Sequence, residues 1–224
     1  MCGRFVTIIP YEELKAIFDI IESKVRPEPR YNVAPTQSVG VIRQADDSTN
    51  HYDQLKWGLV PSWSTDPSKG ASLINARSET VAEKSSFRHA IKKNRCIIPV
   101  TGFYEWTHTG TEKIPHYIHL VNNQIMPLAG IWEHWSDPAG VVLETFSILT
   151  TCANKKLEAL HERMPVILPP DNYSMWLDRN LQDPHHLEHL YSPYSDDQIE
   201  FYEVPKLVNN PRFDSPACIV QVSH

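Results

Sequence analysis

Glycine is scarce in this chain, with 8 residues in 224 against 18 prolines. Proline fixes φ and interrupts helices and central strands, so the balance excludes a bundle of long helices. It predicts many short elements joined by stiff turns. A basic excess is also lacking: 21 Lys and Arg stand against 27 Asp and Glu, a net charge of −6. Overall charge therefore draws no nucleic acid, and any such binding must use a local basic patch. The four cysteines, Cys2, Cys96, Cys152 and Cys218, form no C-x-x-C pair, which argues against a zinc ribbon or a thioredoxin-type site. Cys96 and Cys218 sit in apolar runs and read as small buried hydrophobes, with no disulfides expected in a reducing compartment. No apolar run reaches the ~20 residues that span a bilayer. The N-terminal stretch, broken by Arg4 and Tyr11-Glu12-Glu13, does not read as a signal peptide. The expectation is a soluble, cytoplasmic protein with no membrane contact.

What is present fits one domain over residues 1–224. Leu14, Ile17, Phe18 and Ile21 recur at helical spacing, predicting an amphipathic helix over 10–22 with Pro10 in its first turn. Tyr31–Thr36 reads as a turn-rich loop. Alternation predicts strands at 39–43 and 52–60, joined by the polar loop 45–50. Short helices are expected at 78–83 and 86–93. Strands follow at 95–100, 102–107, 116–121, 126–132, 142–150 and 164–168. Short helices at 171–177 and 185–190 and closing strands at 201–204 and 217–222 complete the chain. Strands dominate with no βαβ rhythm, so the expected class is α+β: a mainly antiparallel, barrel-like sheet with peripheral helices.

Cys2 is chemically distinctive. If Met1 is removed, its α-amine and thiol form a 1,2-aminothiol. The amine can condense with an aldehyde to an imine, which the thiol closes to a thiazolidine. The amine titrates near ~7.7–8.0 and an ordinary thiol near ~8.5, so both reactive forms are accessible at neutral pH. A cysteine at position 2 can equally be incidental. Three further segments hold residue types that packing does not require. In Leu73–Thr80, Asn75 offers an amide and Arg77 a phosphate-binding fork, although Ser78 or Glu79 could simply cap a helix. In Gly102–Trp106, Glu105 is a carboxylate among aromatics. Period-two alternation puts it on the face of Phe103, with Tyr104 and Trp106 opposite. That argues against a solvent-facing glutamate and for an acid/base group. In Leu160–Val166, His161 could serve as acid or base near neutral pH, or be a structural histidine. His185 and His189 have the spacing of a helical metal pair, but with no third ligand nearby no metal or cofactor is assigned. Arg4, Arg77, Arg88 and Arg163 could form a basic patch, with Trp63 as a stacking aromatic and Trp57 as core.

Six short motifs occur in order: Met1–Phe5, Tyr31–Pro35, Trp57–Trp63, Asn75–Thr80, Gly102–Trp106 and His161–Pro165. Together they resemble the SRAP (SOS response-associated peptidase) family. The resemblance implies loss of Met1, by the protein itself or by an aminopeptidase. It implies capture of an abasic site in single-stranded DNA as a thiazolidine at Cys2, which shields the lesion, with a lyase-type side reaction through the imine. Asn75 would position Cys2, Glu105 would handle the amine proton, and His161 would assist opening of the sugar ring. Arg4, Arg77, Arg163, Trp63, Asn32 and Pro35 match DNA-contacting positions. The implied partner is single-stranded DNA bearing abasic sites, met by a monomer that becomes nucleoid-associated at damage. Two other functions compete: an amidohydrolase using Cys2 as an N-terminal nucleophile, and a passive single-strand binder in which Cys2 is incidental.

Overall fold

A computed structural model describes residues 2–21, 23 and 25–223. Its strands are β1 (Phe5–Thr7), β2 (Arg30–Val33), β3 (Ser38–Gln44), β4 (Asn50–Trp57), β5 (Asn75–Arg77) and β6 (Arg95–Val100). They continue with β7 (Gly102–Thr109), β8 (Glu112–Leu120), β9 (Met126–Ser136), β10 (Val142–Cys152), β11 (Arg163–Pro165) and β12 (Ile199–Glu203). Five of these close on themselves. β10 pairs with β4, β4 with β3, β3 with β6, β6 with β9, and β9 returns to β10. The β4–β10 contact is parallel and the others antiparallel. The ring removes the unpaired edges that an open sheet of these strands would expose. A second, open sheet runs β12-β8-β7-β1-β2. The class is therefore the expected mixed α+β fold built on a barrel.

Alternation sorts the core. Val39, Val41, Cys96, Ile98, Val100, Met126, Leu128, Phe146 and Ile148 share one buried cluster with Phe5, Val33, Phe103 and Ile118 of the open sheet. Their neighbours Ile42, Ile97, Ala129, Ile131 and Leu149 belong to a second cluster outside the barrel. That outer layer is covered by α1 (Tyr11–Phe18), α2 (Ala90–Lys93) and α3 (Tyr173–Leu177), through Leu14, Phe18, Ala90, Ile91, Trp176 and Leu177. Arg95 locks this layer. It is only 2% exposed, and its guanidinium donates to the carbonyls of Ile91 (2.8 Å), Lys92 (2.8 Å), Trp176 (2.5 Å) and Asp178. Those are carbonyls near the C-terminal ends of α2 and α3, which lack helical partners of their own. Burial pulls its pKa down to about 10, still well above neutrality.

Several expectations change. Helix α1 ends at Phe18 because Asp19 turns left-handed (φ 48°) and returns its N–H to Lys15. Glu22, at the end of the expected helix, lies outside the described residues. The expected loop at 31–36 is strand β2 over Arg30–Val33, followed by a turn. The helices expected at 78–83 and 86–93 reduce to a single 3-10 turn at Ser78–Thr80 and the four residues of α2. Segments this short are not stable helices alone, and docking of Val81, Phe87, Ala90 and Ile91 decides their shape. The strand expected at 164–168 is β11 followed by a bridge from Ile167 to Leu128. The closing strand at 217–222 is instead a 3-10 turn, Pro216–Ile219. It begins at a proline that cannot donate to a ladder, and Cys218 is buried against the outer face of the open sheet.

Candidate active site

Cys2 precedes β1 and is 0% exposed. It belongs to the shared core, against which the partly buried Ile74 and Leu160 also pack. Each of these immediately precedes a candidate residue, Asn75 or His161. Asn75 reaches Cys2 because β5 pairs in parallel with β10, with Asn75 opposite Ile148. Its Nδ2 donates to the Cys2 carbonyl at 2.9 Å. Its Oδ1 is buried and makes no hydrogen bond among the described residues. A buried amide oxygen left in that state costs ~1–3 kcal/mol, so the position is not explained by packing alone.

Glu105 comes from β7, the neighbour of β1. Phe5 pairs with Phe103, and Tyr104 donates its N–H to the Arg4 carbonyl at 2.9 Å. Glu105 is 6% exposed and shares the Phe103 face, as alternation required, while Tyr104 faces the outer cluster with Trp106 packed against it. Burial pushes the Cys2 thiol far above its ordinary value, and the Glu105 charge pushes it further in the same direction. In the folded protein Cys2 is thus held as the neutral thiol, with a carboxylate close by.

A cleft of about 560 Å³ takes in Glu105 and Arg4, the residue two positions after Cys2. It is lined by Arg4, Glu105, Trp106, His108, Lys113, His161 and Asn209. Three of the expected residues, Arg4, Glu105 and His161, therefore meet in one cavity. The Arg4 Nη1 donates to Asn32 Oδ1 and to the Val208 carbonyl, both at 2.8 Å. The guanidinium lies 5.9 Å from the Trp106 ring centre. Trp106 is fixed by its Nε1, which donates to Asn209 Oδ1 at 2.7 Å. In the same cleft, His161 Nδ1 accepts the main-chain N–H of Arg163 at 2.9 Å.

Other expected residues are placed differently. Asn32 is fully buried, and its Nδ2 donates to the carbonyls of Val208, Asn210 and Phe213. It holds Arg4 against the segment 208–213, so its amide is taken up by the protein's own main chain. Pro35 is half-buried at the turn after β2, where Thr36 adopts φ 72°. Arg77 is exposed on β5. Arg163 spends its Nη atoms on Glu79 (2.5 and 2.9 Å) and on the Thr150 carbonyl (2.6 Å), while its buried Nε has no partner among the described residues. Trp57 is core, donating Nε1 to the Ile74 carbonyl. Trp63 is 58% exposed on a loop anchored where Gly58 (φ 121°) backs onto Gly70; a Cβ on Gly58 would lie 2.6 Å from the Gly70 carbonyl oxygen. His185 pairs with Glu188 at 2.7 Å, and no group of three potential ligands occurs among the described residues.

Sequence reasoning missed Trp106, His108, Lys113 and Asn209 as cleft residues. Trp106 adjoins Glu105 in sequence, a usable signal. His108 and Lys113 pair across the β7–β8 hairpin, beyond the ends expected for both strands. Nothing in the local sequence marks Asn209. None of the described helices is long and apolar enough to cross a membrane.

Comparison with known proteins places the chain in a family. The model of the family described as SOS response associated peptidase (SRAP) matches residues 1–211. The abasic site processing protein YoqW of Bacillus subtilis is 41% identical over 222 residues, covering 98% of this chain and 99% of that protein. The abasic site processing protein HMCES of Gallus gallus is 32% identical, over 99% of this chain and 78% of its own length. A solved structure of a Bacteroides thetaiotaomicron protein superposes with TM-score 0.88 at 28% identity, over 99% of this chain and all of its own. On the family match and the curated relatives, the chain belongs to the SRAP family.

Proposed function

We propose that this protein processes abasic sites in DNA, as its relatives' names describe, by capturing the lesion aldehyde in single-stranded DNA as a thiazolidine on Cys2. The observation that carries the reading is the placement of Cys2. Its carbonyl is held by Asn75, it feels the charge of Glu105, and Glu105 lines a cleft together with His161 and Arg4.

The chemistry requires Met1 to be gone. The freed α-amine attacks the aldehyde carbon, and a carbinolamine forms. Loss of its hydroxyl as water leaves an imine. The thiol sulfur then bonds to that carbon while its proton leaves, closing the ring. The net change is one aminothiol and one aldehyde giving one thiazolidine and one water. Glu105 relays protons: it takes one from the nitrogen and gives it to the departing hydroxyl, then takes the thiol proton and gives it to the imine nitrogen, a role a positioned acid/base group fills with ~10²–10⁴-fold effect. His161 assists opening of the sugar ring, which exposes the aldehyde. Asn75 Oδ1, unpartnered as described, is available to a donor on the processed N-terminus. Arg4 and the exposed Arg77 supply backbone contacts, and Trp63 presents an aromatic face for stacking. β-elimination from the imine is the accompanying strand-cleaving side reaction. The protein acts as a monomer on the damaged strand, once Met1 has been removed by the protein itself or by an aminopeptidase.

The test is a denaturing gel after incubation with single-stranded DNA holding one abasic site. Protein beginning at Cys2 should give a denaturant-stable adduct. Cys2→Ala, and protein retaining Met1, should give none. An adduct that survives Cys2→Ala sinks the proposal, and turnover of amides without DNA would favour the hydrolase.

A further inference from the structure

His161 and Arg163 are linked through the main chain. A peptide N–H can only donate, so the Arg163 N–H at 2.9 Å makes Nδ1 of His161 the acceptor. In the neutral ring the proton must then sit on Nε2. The turn that delivers this contact is itself held. Leu157 donates its N–H to Asn154 Oδ1 (2.9 Å), His161 to the Leu157 carbonyl (2.9 Å), and Ala153 to the Glu162 carbonyl (2.9 Å).

Arg163 is fixed at both ends. Its main chain pairs with Cys152 on β10. Its guanidinium makes two parallel bonds to the Glu79 carboxylate and a third bond to Thr150. The Arg163 side chain is 10% exposed and Glu79 50%. Arg163 also holds the Glu79 carboxyl below its ordinary range, so Glu79 is anionic at neutral pH. Two-point grips of this kind fix orientation as well as distance. Glu79 does not line the cleft, so it acts through its neighbours.

Resting on the reading above, we propose that Glu79 is a positioning residue: by clamping Arg163 it keeps the Arg163 N–H on His161 Nδ1, and so presents Nε2–H to the abasic sugar. In ring opening, the bond from C1′ to the ring oxygen breaks and its electron pair moves to that oxygen. The C1′ hydroxyl proton leaves through Glu105 as the aldehyde C=O forms, and is returned to the ring oxygen. The Nε2–H of His161 donates a hydrogen bond to that oxygen as its charge develops, so the step needs no co-reactant.

Two readouts test this. The first is the tautomer of His161 in 15N-labelled protein, from long-range 1H–15N spectra, with the His161 signals identified by their loss in His161→Gln. Wild type should carry the proton on Nε2, and Glu79→Ala should show a mixture. The second is the adduct rate on two strands, one with an ordinary abasic site and one with an acyclic aldehyde that has no ring to open. Glu79→Ala should slow the first roughly tenfold, as loss of orientation does, and leave the second within about twofold. Glu79→Asp, which keeps a carboxylate, should recover part of the loss and covers the case in which the alanine variant does not fold. A proton on Nδ1 in wild type, or equal slowing on both strands, overturns the proposal. Absence of any adduct from wild type would instead overturn the proposed function, with the tautomer still decided by the spectra.

Discussion

Strand β10 has two halves with different work. Its first half, Val142–Ile148, lies in the barrel ladder against β9, with β4 joining on the other side at Thr145 and Phe146. Its second half runs past the barrel and pairs with β5 at Ile148–Thr150 and with β11 at Thr150–Cys152. The first half supplies Phe146 and Ile148 to the shared core. The second holds the two short strands that carry Asn75, Arg77 and Arg163, and that place His161. Three-residue strands such as β5 and β11 cannot stand alone. Here they borrow the rigidity of a strand already fixed by barrel closure. The lesson is that the barrel stabilises and its overhang positions.

The sharpest way to break that division is in the first half. Phe146 is fully buried and stacks on Trp57 with ring centres 6.3 Å apart. Phe146→Ala should lower unfolding free energy by ~3–5 kcal/mol in urea titrations. The fraction that remains folded should form adduct at near-normal rate; a folded but inactive variant would show the two halves are not separable. Next is the site itself. Glu105→Gln should leave stability almost unchanged and slow adduct formation by about 10²-fold, the lower bound for a lost acid/base group. Because burial, the larger cause, still holds the Cys2 thiol up, alkylation of Cys2 in the free protein should stay slow in this variant. Fast alkylation would mean that Glu105, not burial, keeps the thiol neutral. The smallest effect belongs to the overhang's surface. Arg77→Ala should reduce the slope of log affinity against log salt by ~0.7 on single strands, one phosphate contact. An unchanged slope would remove Arg77 from the interface.

How much of this was readable in advance follows the range of the interactions. β6 was placed residue for residue, because Cys96–Val100 is a continuous apolar run behind Arg95, and every position of the strand is buried. Glu105 was given its face by alternation with Phe103, and buried as expected. β2 was mistaken for a loop because its turn-forming Asn32 reads locally. The carbonyls that satisfy Asn32 lie 176 to 181 residues away. The Glu79–Arg163 pair spans 84 positions, and no local pattern joins them. The closing strand failed for the opposite reason: Ala217–Val222 has strand composition but follows a proline and packs as a 3-10 turn. Local alternation and composition were legible; pairings made by the closed topology were not.

The complete burial of Cys2 has a consequence for chemistry the protein must avoid. Sulfur oxidation proceeds from accessible thiolate, through sulfenic to irreversible sulfinic and sulfonic acids. A neutral thiol with no exposed surface is a poor substrate at every rung, whereas the exposed Cys152 is open to encounter. Free aldehydes in solution face the same barrier. Burial is thus a protection that Cys2 has and Cys152 lacks.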